Sequence, residues 1–546
     1  MNDRNKLLAV QLVLVLGVCG FFFFFGLGAF GLLGADEPRY AQIAHEMFLR
    51  HDWIVPTFNG SPWLEKPALL YWKMMSSYNI FGVSDWAARV PAAVHATVLV
   101  LGIFFFMRRF RFGSELDAAL IAASSAGMIG FGRGASTDML ISAPFALAMM
   151  CWWTWHQNNK KIWLLLFYGL IAVGALAKGP VAPSLAVLIV GAYAVLQRDA
   201  KIFVRSLSAI GIVLFFVISL PWYIAVQHKV PQFFRVFFIE HNLERFGTNL
   251  YQHAQPFWYY IPVFLLATLP WTVFAIPALV AAGRDISRRW KREYAETSGD
   301  VVEAPDELSS FLFLWTVIPI VFFSISRAKL PGYILPAIPA SALLTADYLH
   351  RSKTVSRVKI ALHALVCALL LIGALMAPFA MVKQAPPQTL EIGMAVTGAV
   401  IAIMVMLMIR REGLRVLHFV TLVPAILAVA FLLRPAAATI DRSQSARPIN
   451  QRLTDLGVAV SEPVAVFNVK RQITYGLTFY RNQPVSHYEH DGPVDIPSGI
   501  PAERHVVVSK EGNLAAVQAA VGNREVKSLG DFPPQHLEFF LVSAAK

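Results

Sequence analysis

The chain has 546 residues, of which 56% are hydrophobic and 15% charged, and its mean hydropathy is positive; at this length that balance excludes a soluble protein and indicates a polytopic membrane protein. The net charge of +13 would suggest a nucleic-acid partner in a soluble chain, but the basic residues sit in short clusters between apolar runs, so no nucleic acid is expected. The three cysteines, Cys19, Cys151 and Cys367, all lie inside apolar runs and read as small hydrophobes, not as a disulfide framework or a metal cluster.

A bilayer-spanning helix needs about 20 mostly apolar residues, and by that measure the sequence predicts about thirteen spans. They fall near residues 8–33, 86–107, 115–133, 138–156, 162–178, 180–197, 204–226, 257–281, 309–326, 332–349, 359–382, 390–409 and 414–433. The first is too long for the 7–15-residue apolar core of a secretory signal and reads as a retained helix. Basic clusters fix the orientation: Arg108 to Arg111, Lys160 and Lys161, Arg198 to Arg205, "RDISRRWKR", "HRSKTVSRVK" and "RREGLR" occupy alternate loops, which are therefore cytoplasmic.

The opposite set of loops carries the residues of chemical interest. Asp36, Glu37, Arg39 and Tyr40 follow the first apolar run directly, where charges can line a cavity at the membrane surface, and "AQIAHEMFLRHDW" has the amphipathic spacing of an interfacial helix. Glu65 and Lys66 precede a proline and an aromatic-rich helix; adjacent in sequence, they are expected to point apart and meet different partners, or simply to belong to an interfacial anchor with Trp63, Tyr71 and Trp72. Asp138 opens an apolar helix, where capping by Ser136 or Thr137 and catalysis are compatible. Lys178 in "ALAKGPVAP" ends a span and either snorkels or pairs with a lipid phosphate. "FFIEHNLERFGTN" reads as a short helix with His241 and Arg245 on one face; His241 is either solvated or, with an acidic partner such as Glu65, a metal ligand. "SRAKLPGY" holds Arg327, Lys329 and Tyr333 in a tight turn suited to a phosphosugar or to interfacial anchoring. Topology anchors alone would favour the other face, so this coincidence predicts a reaction site just above the bilayer.

Beyond residue 436 the chain turns polar. "PVAVFN", "RHVVVSK" and "LEFFLV" read as strands and "NLAAVQAAVG" as a helix, giving a small α/β domain over 437–546 behind a membrane domain over 1–436 whose first loop is 34–85. "SHYEHDG" reads as a solvated loop, not a metal site.

With "DEPRYAQIA", "WLEKPALLYW", "STDML", "AKGP", "EHNLERF" and "KLPGYILP" in that order, the chain resembles the bacterial aminoarabinose lipid A transferases within the dolichyl-phosphate-mannose protein mannosyltransferase superfamily, over roughly residues 8–433. The resemblance implies a type C glycosyltransferase fold of about thirteen transmembrane helices, with interfacial helices in the first loop and a C-terminal periplasmic α/β domain. It implies an inverting enzyme of the bacterial inner membrane that takes a sugar from an undecaprenyl-phosphate carrier and passes it to an acceptor, in the closest relatives a lipid A phosphate. By motif match Asp36 and Asp138 are the catalytic acids. Arg39, Tyr40, Lys66, Lys178, Arg245, Lys329 and Tyr333 meet the substrate and the carrier phosphate, and Glu65 and His241 are residues that can hold one divalent metal ion, zinc or similar. No nucleotide cofactor is expected, and the protein is expected to act as a monomer. Ala68 departs from the family pattern, standing where relatives commonly carry a second proline. The competing readings are a relative with another sugar and a glycan, lipid or protein acceptor, a lipid or solute transporter, and a noncatalytic assembly protein. A transporter would place ionisable groups near the midplane on broken helices and show internal repeats, whereas here they gather at one interface.

Overall fold

The computed structural model describes residues 3–244, 255–292, 306–352, 355–382, 384–412, 416–489 and 496–545. Every apolar run predicted to span is helical. Among the described residues seven helices are long and apolar enough to cross a bilayer: Asp3–Phe24, Asp85–Phe110, Lys161–Lys178, Ala209–Lys229, Glu307–Ile325, Arg357–Val382 and Gln388–Arg411. An eighth is counted if Leu417–Leu433 and Ala437–Gln444, bent by 55° at their junction, form one span. Of the other apolar runs, that at 138–156 is a continuous helix, Thr137–Asn158, of lower hydropathy, and the rest are shorter or broken, with local causes for the breaks. The run at 115–133 divides into Glu115–Ser124 and Ala126–Gly132 at Ser125, whose backbone is extended. The run at 257–281 divides at Pro270, between Tyr260–Ala267 and Thr272–Arg292, since proline lacks the amide that would continue the ladder.

The helices share one apolar core that runs from Val15 to Ile496. Outer helices instead show large apolar residues to the surroundings: on Ala209–Lys229, Ile210, Val213, Phe216, Val217, Leu220 and Ile224 form an exposed stripe at helical spacing. A stripe of that kind suits lipid, not water. At one end, cations from two of the predicted cytoplasmic clusters meet two carboxylates: Arg111 lies 2.6 Å from Asp306 and 2.8 Å from Asp347, and Arg351 contacts Asp306 and, at 2.9 Å, Asp347. These arginines therefore pin three helices together as well as marking topology.

At the other end the first helix stops earlier than its apolar run. Its last turn, Gly20–Phe24, widens into a π-helix, and Gly26 (φ +65°) reverses the chain. The carbonyls released by this unwinding need donors. Arg133 donates to Phe22 and Gly26 at 3.0 Å each, and Arg89 donates to the carbonyls of Leu27, Phe30 and Gly31 at 2.7–2.8 Å. The chain then enters the helix Asp36–Arg50, whose buried face (Tyr40, Ala41, Ile43, Ala44, Met47) matches the amphipathic reading. A two-stranded hairpin pairs Thr57–Phe58 with Ser61–Pro62 around Asn59 and Gly60, both at positive φ. The carboxylate of Glu46 ties its turn, accepting from Thr57 Oγ1 (2.7 Å) and the Asn59 amide (2.8 Å). The helix Leu69–Phe81 follows.

Past the last apolar helix, a five-stranded sheet has the order Ser486–His487, Val464–Phe467, His505–Lys510, Leu537–Val542, Val526–Phe532. The first three strands are parallel and the last two join antiparallel. The strands Val464–Phe467, His505–Lys510 and Leu537–Val542 and the helix Leu514–Val521 stand where the sequence pattern placed them, whereas Ser486–His487 and Val526–Phe532 are strands it did not signal. Side chains of period two divide the sheet into two faces: Val464, Val466, Val506 and Val508 pack with Ile473 and Leu477 of the helix Arg471–Arg481, and Ala465, Val507 and Phe540 pack with Val517 and Val521. The "SHYEHDG" segment is not a solvated loop at its start: Ser486–His487 is the edge strand, and His487 and Tyr488 are buried. His490 and Asp491 lie outside the described residues.

This C-terminal region is fastened to the loop after the first helix. Arg447 reaches Asp85 (2.9 Å) and Asp441 (2.8 Å), the Gly31 amide donates to Asp441 (2.8 Å), and the Leu32 amide donates to the Tyr480 hydroxyl (2.9 Å). A Cβ on Gly31 would overlap Ser445 Oγ and the Tyr480 hydroxyl, so the close approach requires glycine.

Candidate active site

The segments 33–40, 58–66, 136–138, residue 178, 232–240, 330–333 and the C-terminal residues Arg471, Tyr475 and 496–498 line one cavity of about 1550 Å³. Asp36, Arg39, Tyr40, Glu65, Lys66, Asp138, Lys178 and Tyr333 all line it. The predicted convergence of distant loops is thus present in the structure.

Each wall is built by ordinary local chemistry. The Ser136 hydroxyl caps the helix Thr137–Asn158, accepting from the Asp138 amide at 3.4 Å, which puts the Asp138 carboxylate at the positive end of the helix. Lys178 is the last residue of Lys161–Lys178, and Gly179 (φ +69°) ends that helix. The two side chains meet at 2.6 Å, both mostly buried, and the Lys178 ammonium lies 4.4 Å from the centre of the Tyr333 ring. The turn carrying Tyr333 comes in so closely that a Cβ on Gly332 would stand 2.6 Å from the Asp138 carboxylate.

Across the cavity the Arg39 guanidinium, 14% exposed, bonds to Asp36 at 2.5 Å, while Asp36 itself is 53% exposed. Three rings surround Arg39: Tyr40 at 5.3 Å, Trp63 at 4.9 Å and Tyr475 at 5.4 Å from the guanidinium carbon. Tyr475 belongs to the C-terminal helix, so that region completes the wall. Burial, with the negative charge of Asp36 nearby, pushes the Tyr40 phenol well above its ordinary range, so it stays a hydrogen-bonding group and not an anion.

Beneath Asp36 lies Glu37, for which sequence reasoning named no role. Its carboxylate grips Arg89 through two bonds (2.7 and 3.0 Å) and accepts from the amides of Leu33 and Ala135 at 2.7 Å each. Burial alone would raise this carboxyl, but the Arg89 charge and those donors together hold it below its usual range. The available signal was Arg89 itself, a charge inside an apolar run that must have a partner.

Other expected members are placed differently. Lys66 does not point away from its neighbour: its ammonium lies 4.0 Å from the Glu65 carboxylate and donates to the Glu65 carbonyl at 3.1 Å, because the bend before Pro67 folds the two side chains together. Lys329 does not line the cavity. It is buried, donating to the carbonyl of Ser326 in its own turn and to that of Gln255 in a separate segment. Arg327 is exposed. Residues 235–244 wind as a π-helix, not the α-helix assumed in pairing His241 with Arg245; the His241 side chain and all of Arg245 lie outside the described residues.

The comparisons with known proteins agree with this architecture. The family model described as dolichyl-phosphate-mannose-protein mannosyltransferase matches residues 65–224. Among curated relatives, an undecaprenyl phosphate-alpha-4-amino-4-deoxy-L-arabinose arabinosyl transferase of Pseudomonas fluorescens is 31% identical over 67% of this chain, and one of Serratia proteamaculans is 32% identical over 62%. The chain is similar to the aminoarabinose transferases within that superfamily. The match spans 61% and 60% of the length of those two relatives. The fold is also that of ArnT from Cupriavidus metallidurans, solved bound to undecaprenyl phosphate (TM-score 0.75, 22% identity, 97% of each chain) and in the apo state (TM-score 0.77, 20% identity, 99% of this chain and 98% of that one).

Among the described residues no three His, Cys, Asp or Glu side chains gather to hold an ion; of the expected pair of metal ligands, the Glu65 carboxylate has Lys66 for a neighbour and the His241 side chain lies outside the described residues.

Proposed function

We propose that the protein is an integral membrane glycosyltransferase that moves a sugar, aminoarabinose, from undecaprenyl phosphate to a lipid A phosphate, with inversion at the anomeric carbon, on the periplasmic face of the bacterial inner membrane. The observation that carries this reading is the cavity itself: carboxylates and cations from distant parts of the chain face one space at the rim of the apolar helices, with Lys178 and Asp138 paired at 2.6 Å. The helical segments that are short or broken complete, in this reading, about thirteen crossings. Residues 1–436 then form the transferase domain and 437–546 a periplasmic α/β domain, and the protein acts as a monomer.

In the reaction an acceptor oxygen attacks the anomeric carbon, and the bond between that carbon and the carrier phosphate oxygen breaks, its electron pair leaving with the phosphate. Lys178, seated against Tyr333, exchanges part of its contact with Asp138 for the carrier phosphate and offsets the charge that develops there; Arg39 and Lys66 add positive potential in a site partly shielded from water. Asp138 holds Lys178 in place and steadies the positive charge that spreads over the sugar ring. Asp36, exposed at the cavity edge, orients the acceptor. A phosphate acceptor is already nucleophilic and needs no strong base. The alternative reading keeps the donor class but takes another sugar and a hydroxyl acceptor on a glycan, lipid or protein; the same exposed Asp36 would then serve as general base. Transport without bond cleavage is less well supported, because the ionisable groups gather at one rim.

The test uses purified full-length protein with a radiolabelled carrier-linked sugar. Wild type releases free carrier phosphate and labels lipid A, while Lys178→Gln loses about a hundredfold or more in turnover, the size expected for removing one group that stabilises a leaving anion. Translocation of an uncleaved donor, or full activity in Lys178→Gln, would reject the proposal.

A further inference from the structure

Charge balance inside the cavity singles out a residue that neither the motif string nor the mechanism uses. Its lining holds the acids Asp36, Glu37, Glu65, Asp138 and Glu240 and the bases Arg39, Lys66, Lys178 and Arg471. Asp36 pairs with Arg39, Glu65 with Lys66, and Asp138 with Lys178. The two remaining acids are matched from outside the lining, Glu37 by Arg89 at 2.7 Å and Glu240 by Arg235 at 3.3 Å. Arg471 has no such partner: among the described residues it makes no ion pair, and its side chain is exposed to the cavity. Among the described residues, a cavity otherwise neutral pair by pair thus carries one positive charge without an acidic partner, on a planar group able to bind an oxyanion through two parallel hydrogen bonds.

Position separates that charge from the carrier. Lys178 ends an apolar membrane helix, where the phosphate of a lipid held in the bilayer arrives. Arg471 is the first residue of Arg471–Arg481, on the polar region that follows the last apolar helix, and it faces the cavity together with Ser498. One turn further along the same helix, Tyr475 packs on Arg39 and edge-on against Phe58, so the helix is seated against the cavity wall.

We infer that Arg471 is a specificity-determining residue that binds a phosphate-class oxyanion of the acceptor. The inference rests on the transferase reading above and adds to it a recognition role for the C-terminal helix. An acceptor phosphate seated on Arg471 and a carrier phosphate on Lys178 then occupy separate cations of the cavity lining and do not compete.

The experiment measures steady-state transfer by the full-length protein from undecaprenyl-phosphate-linked aminoarabinose to phosphorylated lipid A, with the phosphatase-treated lipid, which lacks the accepting phosphate, as the blank. Arg471→Gln should raise KM for the phosphorylated acceptor about tenfold, as expected for a lost charge-assisted bond, with donor KM and kcat within about twofold of wild type. Arg471→Lys should recover part of that loss. Because Arg471 is exposed, the melting temperature of both variants should match wild type, which keeps the comparison free of folding defects. An unchanged acceptor KM or a raised donor KM would overturn the inference. If the wild-type protein does not transfer sugar to phosphorylated lipid A, the functional reading itself fails; if it transfers and Arg471→Gln behaves like wild type, the reading stands and this inference alone falls.

Discussion

Asp36 and Glu37 are neighbours in sequence with opposite surroundings. Asp36 stands 53% exposed at the cavity edge, whereas Glu37 is buried against Arg89 and two backbone amides. Nothing in the order of the two acids separates a reacting group from a supporting one; the distinction comes from helical rotation at the start of Asp36–Arg50, which turns one outward and the next into the core. Removing one partner of a buried, hydrogen-bonded pair costs about 3–5 kcal/mol. Glu37→Gln should therefore lower the thermal unfolding midpoint strongly, and activity should fall with it because the Asp36 turn loses its base. The pH dependence has a definite sign. Glu37 ionises more readily in the folded chain than in the unfolded one, so its stabilisation is complete above the ordinary carboxylate value of 4.5 and fades as pH drops below it. Unfolding midpoints of detergent-solubilised protein should fall more steeply with acid in wild type than in Glu37→Gln; parallel curves would remove Glu37 from the account.

The elements around the cavity were partly legible because charge beside a long apolar run has few places to go. Asp36, Asp138 and Lys178 each sit at the end of a helix that crosses or borders the membrane, and each faces the cavity. Lys329 obeyed the same rule in sequence yet turned inward, where the carbonyls of Ser326 in its own turn and of Gln255 in a separate segment accept from its ammonium. Arg471 and Tyr475 were not legible at all: they lie more than 400 residues from Asp36 in a helix whose pattern reports only its packing on a sheet. What brings that helix to the cavity is the fastening of Asp441 and Tyr480 to the loop Gly31–Leu32 and of Arg447 to Asp85. Gly31→Ala should force that contact apart. The expected result is faster proteolytic cleavage between residues 433 and 471 and a loss of transfer, while the apolar helices stay folded; unchanged protease resistance would show that the fastening does not depend on the close approach.

Across the chain, the two kinds of charged loop occupy opposite ends. Arg111, Asp306, Asp347 and Arg351 lock one end, and the cavity opens at the other, capped by the C-terminal region. Hydropathy alone made the membrane fold readable, but the short and broken helices blur the crossings: a helix interrupted at Ser125 or Pro270 leaves the same apolar signal as an unbroken one. The account therefore stands on the cavity being a single space on one side of the bilayer. The most direct measurement places a single cysteine at Asp36→Cys, Glu65→Cys or Ser498→Cys in a background lacking Cys19, Cys151 and Cys367, and labels right-side-out vesicles with a membrane-impermeant maleimide. All three positions should label from the outer, periplasmic side, and undecaprenyl phosphate should protect Glu65→Cys. Labelling of any of the three from the cytoplasmic side instead would contradict the account.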